Sequence, residues 1–172
     1  MTSDKLSEVW LRGPLPEVPE LLQPAAHSLL QTVEELKEIL VDFPDDLMIR
    51  EVAGRATVAF HVRHMTGVLD RMMTYSKGLP LSEEQIDFLK GEKKVEPLPD
   101  TENLIVQFED KVKEAFLYFK SLEGSDLTEQ RTVGRKHLPS TVIGLLFHAA
   151  EHAQRHLGQL LVTVSVLRAQ LK

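Results

Sequence analysis

The chain has 172 residues, 42% hydrophobic and 27% charged, with 20 Lys plus Arg against 26 Asp plus Glu for a formal charge of −6. That length and balance describe one soluble globular domain over residues 1–172, able to bury its core without a disulfide or structural metal. An acidic chain with no Lys/Arg block argues against nucleic acid or a membrane surface as partner, and with neither a signal-like apolar core in Met1 to Leu11 nor ~18 uninterrupted apolar residues anywhere, a cytoplasmic protein is expected.

Four long segments carry helical periodicity, and no run alternates in the manner of a strand, so the expected class is all-α. The first segment runs from about Pro19 to Val41, with Leu22, Leu29, Leu30, Val33, Leu36, Ile39 and Leu40 recurring three and four apart. Pro24 bends this helix if it starts at Pro19 and is tolerated in its first turn if it starts nearer Leu22. Phe43-Pro44-Asp45-Asp46 breaks it. The second segment follows Thr57 as N-cap and runs to Lys77, closed by Gly78. Ser82-Glu83-Glu84-Gln85 has capping-box spacing and opens a short helix through Leu89. Gly91 to Asp100, holding Pro97 and Pro99, reads as a loop. The third long helix spans about Thr101 to Leu122, and the fourth starts at Thr141 with Ser140 as N-cap and reaches about Ala169. Four such helices describe a four-helix bundle, whose longer connections allow a departure from simple up-down-up-down order.

Histidine placement is the strongest chemical signal. Cysteine is absent, which fits a reducing compartment and leaves histidine and carboxylate as the metal ligands available. Five of the seven histidines, His61, His64, His148, His152 and His156, fall on the second and fourth helices. At about 100° per residue, His148, His152 and His156 form one stripe over two turns, and neighbours four apart can share an ion. The outer pair is separated by about 12 Å of rise, so an ion takes one adjacent pair plus a ligand from elsewhere. His61 or His64, both on the apolar side of the second helix, can supply it. Three imidazoles leave open coordination positions, the arrangement of a catalytic ion. His27 and His137, standing alone, read as hydrogen-bonded histidines without chemistry.

The stretches Phe60-His61-Val62-Arg63-His64-Met65-Thr66-Gly67-Val68-Leu69-Asp70-Arg71 and Phe147-His148-Ala149-Ala150-Glu151-His152-Ala153-Gln154-Arg155-His156-Leu157-Gly158-Gln159 resemble the DinB-like (DinB/YfiT-related) superfamily of metal-dependent enzymes, with Thr74-Tyr75 and Leu81 to Gln85 extending the likeness. The most specific piece is an HxxxHxGQ pattern, here His152, His156, Gly158 and Gln159. The resemblance implies a four-helix bundle in up-down-down-up order, with three histidines on a divalent ion such as zinc or nickel. Carried over by position, the ligands are His64, His152 and His156, with His61 the rival on the second helix and His148 a pocket residue one turn before the motif. It further implies a transferase coupling a low-molecular-weight thiol to a small electrophile, the thiol coming from a cosubstrate, and a homodimer. A non-catalytic metal-binding stress-response protein and a metal-dependent hydrolase are the alternatives, the latter weakened because no acid/base carboxylate is evident beside the histidines.

Arg71 and Tyr75 lie within about 20° of the His64 direction, so Arg71 can hold an anionic substrate group and Tyr75 orient it. The plainer expectation is that Arg71 pairs with a surface acid and Tyr75 packs at the bundle end. Glu151 and Gln159 flank the histidines and can accept a ring N–H, although Glu151 points about 100° away from His152. Gly67, Gly144 and Gly158 sit within helices, where glycine costs up to about 1 kcal/mol, and imply close helix approach. Met65, Met72 and Met73 read as core, and the apolar tail Leu160, Leu161, Val162, Val164, Val166 and Leu167 implies burial on more than one side and a dimer through the end helices.

Overall fold

The computed structural model describes residues 7–171, so the expectation for the Met1 to Leu11 stretch falls largely outside the described residues. The helices are α1 (Gln23–Ile39), α2 (Val58–Ser76), α3 (Glu83–Gly91), α4 (Thr101–Lys120) and α5 (Val142–Ala169), and a hairpin of β1 (Gln130–Val133) and β2 (Leu138–Thr141) lies between α4 and α5. None of the described helices is long and apolar enough to cross a membrane.

Local chemistry accounts for most boundaries. A 3-10 turn over Glu20–Leu22 leads into α1, which puts Pro24 in the first helical turn, where its missing N–H has no intrahelical acceptor to lose. The Thr57 hydroxyl accepts from the Phe60 amide at 3.1 Å and starts α2, and Gly78 follows its last turn at φ +72°. Ser82 and Gln85 exchange both bonds of a capping box, and α3 continues to Gly91, two residues beyond Leu89.

The all-α expectation needs one correction. Gln130 pairs with Thr141, Arg131 with Ser140, Thr132 with Pro139 and Val133 with Leu138 in an antiparallel ladder. Four-residue strands rich in polar residues and containing a proline carry no alternating hydrophobic signal, and the pairing is held by the turn, where Gly134 and His137 both have positive φ. Ser140 belongs to that ladder, so the N-cap of α5 is Thr141, whose hydroxyl accepts from the Gly144 amide at 3.1 Å.

The four long helices form a ring. Both α1 and α2 pack on α4 and on α5, so α1 and α2 occupy opposite corners, as do α4 and α5. Leu29, Val33 and Leu36 of α1, Phe108 and Phe119 of α4, and Leu146 and Leu160 of α5 fill the centre with Met65, Leu69 and Met73 of α2; Met72 is only partly buried against them. The broadest of these contacts is α2 on α5. Along this stretch α5 carries the buried Ala149, Ala150 and Ala153, small enough to let the neighbouring helices approach closely. The tail of α5 is buried on one side only: Leu160, Val164 and Leu167 face the core while Val162 is 65% exposed.

Candidate metal centre

Three of the five clustered histidines share one point between α2 and α5. One ring nitrogen from each of His64, His152 and His156 lies within 4.8 Å of the others. Ring centroids are 4.5 Å apart for His152 and His156, 4.6 Å for His64 and His156, and 5.1 Å for His64 and His152. The His64 and His152 Nε2 atoms stand 3.0 Å apart. Two nitrogens at that spacing, each ~2.0–2.1 Å from a common ion, subtend roughly 95° there, an angle between octahedral and tetrahedral ligands.

The electrostatics favour lone pairs over charge. Burial pushes the His61, His152 and His156 rings down to about 4, each lowered further by neighbouring imidazoles, and Arg155 adds to the effect on His152 and His156. These rings are neutral at pH 7, the state a metal requires of them. The Nδ1 atom of His152 is buried with no hydrogen-bond partner among the described residues. A polar atom left so costs about 1–3 kcal/mol. Three ring nitrogens at ligand spacing, with His152 and His156 neutral, fit a divalent transition-metal ion.

His61, the other second-helix candidate, sits behind this point. It is 2% exposed, and its Nδ1 lies 2.9 Å from Nδ1 of His156, so it meets the group through His156 alone, whereas His64 stands against both His152 and His156. His148 is 46% exposed at its side chain and near Glu151, 3.5 Å from Nδ1; its ring touches the group only through His152, at 5.2 Å between centroids. Glu151 is held by Arg155 at 2.5 and 2.8 Å, Gln159 is exposed, and neither bonds a ring of the three. His27 is half-buried on α1, bonded to the Gly13 carbonyl at 3.1 Å, and His137 is exposed on the hairpin turn.

Arg71 departs from both of its sequence readings. It is 6% exposed, and its Nη1 donates to Oε1 of Glu92 at 2.8 Å, so the pair is neither at the surface nor open to a substrate anion. Glu92, 3% exposed, accepts at its other oxygen from Nδ1 of His64 at 2.7 Å. A carboxylate is therefore present beside the histidines, against the expectation from sequence, and it is supplied by the residue that caps the C-terminus of α3. Glu92 escaped sequence reasoning because it stands among Gly91, Lys93 and Lys94, where a lone acid reads as solvated, and no spacing relates it to α2. Phe60 escaped as well. Its ring stacks on His64 at 5.0 Å and 14°, closing one side of that imidazole. Tyr75 is half-buried three turns along α2, about 16 Å of rise from His64.

The implied close approach at the helical glycines holds unevenly. A Cβ at Gly67 would lie 2.5 Å from Glu92 Oε1 and 2.6 Å from Arg71 Nη1, and at Gly144 3.0 Å from the Thr141 hydroxyl, whereas at Gly158 it would meet nothing within 4 Å.

With this geometry in place, comparison with known proteins gives three findings. A family model described as the DinB superfamily matches residues 25–160. A DinB-like protein from Bacillus cereus has a similar structure, with a TM-score of 0.63 and 19% identity over 89% of this chain and 95% of its own. A protein from Streptococcus pneumoniae has a TM-score of 0.63 and 13% identity over 88% of this chain and 91% of its own. At those identities the two structures speak for the fold alone. No curated protein matches the chain.

Proposed function

This chain belongs to the DinB superfamily, and on that premise we propose that His64, His152 and His156 hold one divalent transition-metal ion, zinc or nickel, at the centre of a metal-dependent transferase. The observation that carries the reading is the convergence of three ring nitrogens, from two helices, within 4.8 Å. An ion held by these three rings would supply Lewis acidity, which would lower the pKa of a thiol or water beside it.

The chain's own residues support the rest. Neutral His152 and His156 offer lone pairs without first losing a proton, and Phe60 excludes water from one face of His64. With no cysteine in the chain, the nucleophilic sulfur comes from a low-molecular-weight thiol cosubstrate. In the transfer, a carbon–sulfur bond forms at the electrophile, the leaving group departs with the bond's electron pair, and the thiol proton passes to solvent. Hydrolysis fits less well, because both oxygens of Glu92, the carboxylate bonded to the cluster, are engaged by His64 and Arg71 and neither is free to take a proton from water. The up-down-down-up helix order belongs to the same reading; opposite corners for α1 and α2 support it over a bundle in which consecutive helices are always adjacent.

The test is elemental analysis of protein purified without a histidine tag, for wild type, His64→Ala and His152→Ala, followed by assay of thiol and electrophile pairs with the loaded protein. Near one equivalent of metal in wild type, lost in both variants with helicity kept, supports the centre, and thiol-dependent turnover supports the transferase. Metal without turnover or thiol binding moves the protein to a non-catalytic metal-binding role, and no metal after reconstitution overturns the proposal.

A further inference from the structure

The pairing of Arg71, Glu92 and His64 is not explained by stability. A buried Arg–Glu pair returns little once both charges are desolvated, and apolar residues of the same volume often do better. Its geometry has a specific consequence instead. The Glu92 carboxylate is held at two points, Oε1 by Arg71 at 2.8 Å and Oε2 by His64 Nδ1 at 2.7 Å, so it can neither rotate nor swing into the histidine cluster as a ligand. A carboxylate oxygen only accepts, so the 2.7 Å contact puts a ring proton of His64 on Nδ1, and in the neutral ring the lone pair is then on Nε2. That lone pair is the one aimed at His152 Nε2, 3.0 Å away. Gly67 makes the approach of α3 to α2 possible, since any Cβ there would sit 2.5 and 2.6 Å from the two paired side chains.

We propose that Glu92 is the positioning residue of the centre: held by Arg71 over the bare backbone at Gly67, it fixes the tautomer and orientation of His64 so that Nε2 faces the metal position. The inference rests on the metal reading above. Replacement by glutamine makes the logic sharp. Arg71 has donors only, so it claims the amide oxygen of Glu92→Gln and turns the amide NH2 toward His64. An NH2 facing Nδ1 favours the tautomer with the proton on Nε2, which cannot bind metal. Removing the arginine as well frees the amide to turn its oxygen back to His64.

The experiment measures zinc affinity by competition with a chromophoric chelator for wild type, Glu92→Gln, Arg71→Met/Glu92→Gln, and each of these combined with His64→Ala, alongside two-dimensional NMR of the 15N-labelled histidine rings. Glu92→Gln is expected to weaken zinc binding about 10- to 100-fold and to move the His64 proton from Nδ1 to Nε2 in the metal-free spectrum. The Arg71→Met double variant recovers part of the affinity and the original tautomer. His64→Ala binds zinc too weakly to keep it through purification, and on the residual affinity that chelator competition reads neither change has a further effect. If Glu92→Gln leaves an unpaired buried arginine and fails to fold, the double variant, which buries no net charge, still carries the test: it must bind zinc more weakly than wild type and lose that difference in the His64→Ala background. Affinity within twofold of wild type, or an equal loss without His64, overturns the proposal. Wild type that binds no zinc but shows the expected tautomers overturns the metal reading and confines Glu92 to orienting a histidine.

Discussion

Gly67→Ala is a change of one methyl group whose sign is decided by tertiary contact. In an exposed helix interior, alanine in place of glycine stabilises by about 1 kcal/mol through backbone entropy. At residue 67 the new Cβ would lie 2.5 Å from Glu92 Oε1, 2.6 Å from Arg71 Nη1 and 3.0 Å from Phe88 Cε1, distances at which one of the three groups must move. Overpacking of this kind costs about 1–3 kcal/mol, and separating a buried ion pair costs about 3–5 kcal/mol when it is broken outright. Partial displacement of the pair, offset by the propensity gain, gives an expected net loss of about 3 kcal/mol, or a fall in Tm of roughly 6–12 °C for a chain of this size. Gly158→Ala is the matched control, because it lies within α5 with nothing within 4 Å of its Cβ position; it is expected to gain about 1 kcal/mol. Urea unfolding and calorimetry of the metal-free proteins, at low concentration so that the outer face of α5 is bare, measure both. A Gly67→Ala protein as stable as wild type would refute the packing of Glu92 and Arg71 against this glycine.

His61→Ala is expected to retain bound metal with reduced affinity while His64→Ala loses it, since His61 lies behind His156 and outside the group of three; metal lost in His61→Ala and kept in His64→Ala would reverse the order of the two residues, and equal retention in elemental analysis would refute it. The rings of His61, His152 and His156 are held near 4 in the fold against about 6.5 in the unfolded chain. The unfolded state therefore binds more protons between those values, and the metal-free protein should be fully stabilised by these groups above pH 6.5 and lose that contribution as pH falls toward 4; a flat urea midpoint from pH 7 to pH 4.5 would contradict this. Phe147, Val162 and Val166 are exposed on α5 within about 100° of one another, which supports a homodimer through the end helices; light scattering that returns the mass of one chain refutes it.

Legibility from the amino acids followed the range of the physics involved. Thr57, the Ser82 to Gln85 box and Gly78 act within one turn of chain, so α2 and α3 could be bounded from residues alone, and the 3.6-residue repeat of Leu29, Val33 and Leu36 announced a buried face wherever the helix ended up. The hairpin could not be read this way, because its strands are short and polar and their pairing depends on a turn with two positive-φ residues. Arg71 shows the same limit at the site. Helical spacing placed it on the His64 side of α2, correctly, but whether it met substrate, solvent or a buried acid depended on a residue 21 positions away.

The sequence by itself determined which helices exist, that two of them carry the histidines on their apolar sides, and that any metal must be held by imidazole or carboxylate, since cysteine is missing. Those properties are local or compositional. Tertiary structure decided which of His61 and His64 joins His152 and His156, that Glu92 rather than a water or a substrate faces His64 Nδ1, and that Gly67 is a packing requirement while Gly158 is not. Each of these depends on the distance and rotation between separate helices, quantities set by how the whole core packs and carried by no single stretch of chain.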